Sequence, residues 1–249
     1  VTGSFGDFSP GTRPWLSGVA KRAPVAALSV VATALVVSPA QAQVSRAPAT
    51  PVATIPAPAA MRAACASGPA TSCEQAGLQA INAARAAEGV PPLVLPANFS
   101  SLQPIVQLLV VTDLERTGRG LPGFTGLSVE LDNLALEGAL AHKDPVGPPN
   151  TSWGSNWAGG EGAVLEADYD WMYNDGPGSY NVDCPASGGE GCWGHRDNIL
   201  GNYGPSPSMG AAIARAQDGG TPYLSMTQLF ASAPAGAIAY KLPALASLK

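Results

Sequence analysis

Apolar residues recur along this chain with two different periods. Over residues 100–117, Leu102, Ile105, Val106, Leu109, Val110 and Leu114 fall at i, i+3, i+4 spacing. This predicts an amphipathic helix that Asn98 or Ser100 can cap and Gly118 ends, with Asp113 on the same face as a satisfied polar contact. Residues 73–88 carry Leu78, Ile81 and Ala84-Arg85 in helical phase, and Gly89 and Pro91-Pro92 stop them. A third helix is expected over 128–142, where Leu131, Leu134, Ala135, Gly138 and His142 share one face, so that His142 points as the core residues point. A fourth is expected over 161–173, with Val164, Leu165, Asp168 and Met172 together. Residues 147–160 show neither period and read as a loop. Two strands are expected at 209–215 and 223–232, separated by Gln217-Asp218-Gly219-Gly220, a hairpin signal. The Ala- and Pro-rich tail, 234–249, is expected to wrap the surface or fray.

The first 60 residues follow another logic. Lys21-Arg22 precede an apolar run over 23–37, and Ala40-Gln41-Ala42 follows. A charged region, a short apolar region and small residues at A-x-A are the pattern of an export signal, here 1–42 with an extended charged region. The run is shorter than the roughly 20 residues of a membrane span. Release before Gln43 is therefore expected, giving a secreted, extracellular protein with no membrane span after processing. Residues 43–60 are Pro, Ala, Thr and Val with a single charge, Arg46, and read as an extended linker. The folded domain is expected over 61–233.

Composition narrows the functional classes. The chain has 249 residues, 46% of them hydrophobic, with Ala and Gly supplying much of that share, so the core must be modest. A net charge of −5 and no basic patch exclude a nucleic-acid surface, which needs clustered Lys and Arg. Four cysteines suit an exported protein and allow three pairings. The local pairing, Cys65 with Cys73 and Cys184 with Cys192, is expected from the short spacings. A zinc site is the rival, but neither pair has the gap of about two to four residues found in structural zinc sites.

The densest chemistry lies at 183–200, which holds two cysteines and one of the two histidines. His195-Arg196-Asp197, with Asn202 beyond, matches the catalytic-loop spacing of protein kinases. The Gly-rich loop, strand lysine and Asp-Phe-Gly that this chemistry needs are missing, so the reading fails. Gly194-His195-Arg196-Asp197-Asn198-Ile199-Leu200 instead resembles the signature of the bacterial branch of the CAP superfamily (SCP-like extracellular domains, grouped with pathogenesis-related 1, antigen 5 and cysteine-rich secretory proteins). Residues 81–93 resemble that family's first helix. Gly154-Ser155-Asn156-Trp157-Ala158 resembles its Gly-Glu-Asn-Ile-Ala, with Ser155 in place of the acid. Trp171 resembles a tryptophan that precedes a second acid, where this chain has Asn174 and then Asp175. Tyr223 to Phe230 resembles the last core strand. The resemblance runs discontinuously over about 74–232.

It implies an α+β fold, a three-layer α/β/α sandwich around a mainly antiparallel sheet. It also implies a cleft where two histidines and two acids hold a divalent metal. His142 and His195 match the histidines, while Ser155 and Asn174 stand where the acids would be. Such a set compensates a dication poorly, so the expectation is no required cofactor and at most weakly bound zinc on His142 and His195. Asp175, Asp183 or Glu190 could replace an acid if the loop shifts. No Gly-x-Ser-x-Gly elbow occurs, and a Ser155–His195 dyad is the remaining hydrolase sketch. Arg196, Asp197 and Asn198 are expected to fix the Ile199-Leu200 segment. The resulting expectation is a secreted, non-catalytic binding module whose cleft of His142, Ser155, Asn174 and His195 takes a small or lipid-like ligand. A degenerate metal-dependent hydrolase and an envelope-tethered interaction domain are the alternatives.

Overall fold

The computed structural model describes residues 53–68, 70–218, 220–232 and 238–241, so the expected export signal and most of the linker lie outside it. The elements run α1 (Ala59–Ser67), α2 (Ala70–Ala87), α3 (Pro104–Thr117), β1 (Leu127–Ser128), α4 (Val129–Ala141), β2 (Trp153–Glu161), α5 (Val164–Tyr173), α6 (Gly194–Leu200), β3 (Pro207–Asp218), β4 (Thr221–Ser232) and β5 (Ile238–Tyr240). The strands form one sheet in the order β2-β4-β3-β1-β5. Every pairing is antiparallel except β1 with β3. This is the expected α+β class.

Alternation along β3 and β4 builds the layers. Ala212 and Ala214 with Leu229 and Ala231 pack under Leu131, Ala135 and Ala139 of α4. Their neighbours in sequence, Met209, Ala211, Met226 and Phe230, join the larger core of α2, α3 and α5 on the other face. Gly210 sets how closely α4 approaches, because a Cβ there would overlap the Leu131 backbone. Gly210→Ala is expected to lower the unfolding free energy by about 1–3 kcal/mol, read by urea denaturation, through overpacking of a helix that cannot shift alone.

Five boundaries differ from expectation. The helix expected at 100–117 begins at Pro104, since the residue before a proline avoids helical angles, and Gln103 is extended. Phe99–Ser101 form only a 3₁₀ turn. Residues 147–160, expected as a loop, contain β2, paired with β4 from Trp153↔Ala231 to Glu161↔Leu224. Its run of Gly, Ser, Asn and Ala hides the strand's alternation. Glu161 ends β2, so α5 starts only at Val164. In the C-terminal tail, 238–240 form β5 on β1 rather than fraying. The end of the linker is docked: the Ile55 N–H donates to the Tyr173 carbonyl at 2.8 Å, and Tyr169 Oη donates to the Ile55 carbonyl at 3.1 Å. Packing thus begins upstream of residue 61.

Both local disulfides are present, Cys65–Cys73 and Cys184–Cys192. Among the described residues no helix is long and apolar enough to cross a membrane.

Candidate functional site

His195 opens α6, and its position is set from outside the helix. Trp193, at the N-cap, has a left-handed φ of 65° and no side-chain cap. Asp175, in the turn after α5, does that work instead. Its Oδ2 accepts the backbone N–H of His195 at 3.0 Å and of Arg196 at 3.2 Å. Its Oδ1 lies 2.7 Å from His195 Nδ1 and accepts Asn181 Nδ2 at 2.7 Å. The imidazole is therefore fixed at Nδ1, and His195 borders a cavity of about 210 Å³. Burial pulls its pKa down, but the hydrogen bond and charge of Asp175, with Asp144 and Asp183 behind, outweigh burial and leave it raised.

The cavity wall is acidic and aromatic. Asp144, Glu161, Asp170, Asp175 and Asp183 line it, with Trp157, Trp171, Tyr180 and Asn174. Trp171 Nε1 donates to the Trp157 carbonyl at 3.1 Å and Trp157 Nε1 to Ser225 Oγ at 2.9 Å, which holds the two indoles in place. Asn174 Nδ2 donates to Asp170 Oδ1 at 2.9 Å, an i, i+4 pair across the end of α5. Burial and the charge of Asp170 push Glu161 up to about 8. Burial, then the charge of Asp175, pushes Asp170 to about 6 against the help of Asn174.

The four expected site residues are not brought together. Asn174 and His195 line the cavity. Ser155 does not: it pairs with Leu229, part of the α4-facing core, whereas Asn156 reaches the His195 carbonyl and Gln228 on the opposite face. One residue of strand is one change of face, so the Ser155–His195 dyad is not assembled. His142 was expected to point inward, yet it is the left-handed C-cap of α4, at φ 55°, and exposed. Its Nδ1 is 2.8 Å from Tyr223 Oη, in a different groove that shares Trp157 with the cavity but is not lined by His195. A metal centre using both histidines does not fit this arrangement. Among the described residues the one cluster with three potential ligand atoms within 4.8 Å is Cys65, Cys73 and Glu166, and its sulfurs are tied in a disulfide.

Of the acids Asp175, Asp183 and Glu190, it is Asp175, next to Asn174, that contacts His195. Asp183 also reaches the cavity, and Glu190 is not among its lining residues. Asp144, Glu161, Asp170 and Tyr180 carried no motif, and Trp157 was read only as part of the 154–158 segment. The only sequence signal was the Asp170/Asn174 spacing on α5. Arg196 and Asn198 hold the scaffold: Arg196 Nη1 donates to the Met172 carbonyl at 2.6 Å, and Asn198 Nδ2 to the Ser155 carbonyl at 2.7 Å.

These buried acids set the response to pH. Asp113, which accepts the Phe124 N–H at 2.7 Å, is pushed by burial up to about 7. For Asp113, Glu161 and Asp170 the folded pKa lies above the ordinary 3.8 or 4.5, so the native state keeps protons that the unfolded chain has released. Stability then falls as pH rises through this interval. His195 acts in the same direction: its contribution is complete below the ordinary 6.5 and is lost as pH passes its raised value. The thermal midpoint is expected to be higher near about pH 5 than near about pH 8, and Asp113→Asn should flatten the decline. Scanning calorimetry across that range checks both.

A scan against protein-family models, a search of curated proteins and a search of solved structures found no match to this chain.

Proposed function

We propose that the chain is a CAP-like, secreted binding module that takes a small ligand in the cavity beside His195. The observation that carries this reading is the cavity's lining: an imidazole held by Asp175, two tryptophans and several carboxyls, with no Ser, Thr, Cys or Lys among the described residues that line it. That inventory suits recognition better than acyl transfer, which needs an activated nucleophile. At about 210 Å³ the space is below the roughly 300 Å³ at which drug-sized ligands begin. A thermal-shift screen of small polar metabolites and fatty acids on the exported protein tests the reading. At least one compound should stabilise the wild type and lose its effect in Trp157→Ala. Turnover of a peptide or ester substrate that is abolished in His195→Ala would overturn it in favour of a hydrolase.

A second, more apolar cavity supports a lipid-like ligand as the alternative. It measures about 370 Å³ and lies between the starts of α2, α3 and α5 and the sheet, lined by Ile105, Val164, Ile213, Leu224 and Met226. A fatty acid bound there should be displaced by Met226→Trp and be indifferent to Trp157→Ala.

A further inference from the structure

We infer that the cavity beside His195 selects a small organic cation, a substituted ammonium, over both neutral molecules and metal ions. The inference rests on the binding-module reading and adds the ligand's chemical class.

The first support is a set of carboxyl oxygens that the protein leaves without a partner. Five carboxyl groups line the cavity, and no Lys or Arg among the described residues does. Asp175 is committed to His195 and the start of α6, but others are not. Glu161 Oε2 is shielded from solvent and has no hydrogen-bond partner, and Asp144 Oδ1 is in the same state. The backbone N–H of Trp157 donates to the Asp144 carboxyl, and the Glu161 carboxyl accepts its own N–H. A buried acceptor without a partner costs free energy comparable to a lost hydrogen bond, and a cationic guest in the adjoining space supplies compensating charge nearby without touching the shielded oxygen. Arg62 lies across an adjoining groove that shares Glu161 and Asp170, but its guanidinium is bonded to the Ala57 carbonyl.

The second support is the aromatic surface. Trp157, Trp171 and Tyr180 border the same space, and ammonium groups are attracted to such ring faces, most strongly to tryptophan. The third excludes a bare metal ion as the better guest. No three carboxylate or imidazole ligand atoms of this wall lie within 4.8 Å of one another, and the cavity is far larger than an ion with its first shell of protein ligands requires. Dispersed acids beside aromatic residues suit a diffuse charge on a polyatomic cation.

The probes are choline chloride and its neutral carbon isostere, 3,3-dimethylbutan-1-ol, titrated calorimetrically into the exported protein at a pH above 8, where Glu161 is ionised. Choline should bind about tenfold or more tightly than the isostere. Glu161→Gln should erase most of that difference while leaving the thermal midpoint unchanged or higher, since Oε2 has no bond to lose. Asp144→Asn provides the same test if the first variant does not fold. Equal binding of both probes, lost together in Trp157→Ala, would overturn the cation inference and leave the cavity reading standing. Binding of neither probe, while another compound still needs Trp157, would do the same. One equivalent of zinc that binds more tightly than choline and expels it would overturn the inference in favour of a metal site.

Discussion

Replacing Glu115 with alanine should lower the unfolding free energy by about 3–5 kcal/mol, enough to consume a large part of a typical domain's stability. Glu115 is fully buried on α3. Its Oε2 accepts Arg85 Nη1 at 2.5 Å and is paired with Arg119, while Oε1 accepts Tyr173 Oη at 2.9 Å. Arg119 continues to Glu88 at 2.7 Å, and Glu88 pairs with Arg196 at 3.0 Å. The network joins α2, α3, α5 and α6 behind the candidate site. Truncating Glu115 leaves Arg85 and Arg119 buried beside each other without their shared carboxylate, and a buried charge that loses its partner costs more than the pair contributed. Nearby Asp168, completely buried and held protonated-leaning by burial and then by Glu115, would gain ionised character and offset part of the loss. Urea denaturation followed by tryptophan fluorescence gives the number. A loss under about 1 kcal/mol would mean that these ion pairs are solvated in solution.

Asp175→Ala is expected to cost about 3 kcal/mol and to remove binding at the cavity as well. Four contacts vanish together: two backbone N–H groups at the start of α6, Asn181 Nδ2 and His195 Nδ1. Hydrogen bonds to a charged acceptor are each worth about 1.5–3 kcal/mol, and the α6 donors have no side-chain cap to fall back on. The His195 imidazole should titrate lower in this variant, because burial would then act without its largest opponent. Asp175→Asn is the informative companion. It keeps one acceptor oxygen for α6, so most stability should return while the His195 pKa stays depressed. Stability and the imidazole pKa moving in step through both variants would show that Asp175 only braces the fold.

Helices α2 to α5 were legible in the apolar spacing, and so was the β3–β4 hairpin with its Gly-containing turn, whereas α1 and α6 were not expected as helices. The core faces of α3, α4 and α5 follow from residues such as Leu109, Leu131 and Leu165. β2 was hidden, because Gly154, Ser155, Gly159 and Gly160 offer no apolar alternation, and its pairing comes from β4 rather than from local preference. The site was harder to read for the same kind of reason. His142 shares the helical phase of Leu131 and Ala135, but the chain turns left-handed at that residue and takes its side chain away. Ser155 has the right position and the wrong strand parity. Asp175 lies one residue from the position that spacing favoured. Asp144, Glu161 and Asp170 come from a loop, a strand end and a helix, and only tertiary folding places them around one space.

The chain's two histidines make one measurement decisive for the cavity reading. Imidazole-detected nitrogen–proton NMR gives a separate signal set for His142 and for His195, and Asp175→Asn assigns them. The spectrum is followed while the most stabilising compound from the thermal-shift screen is added. The account predicts that the His195 signals move and saturate with the ligand while those of His142 stay in place. Movement of both sets together at one equivalent, or of His142 alone, would contradict a ligand cavity centred on His195.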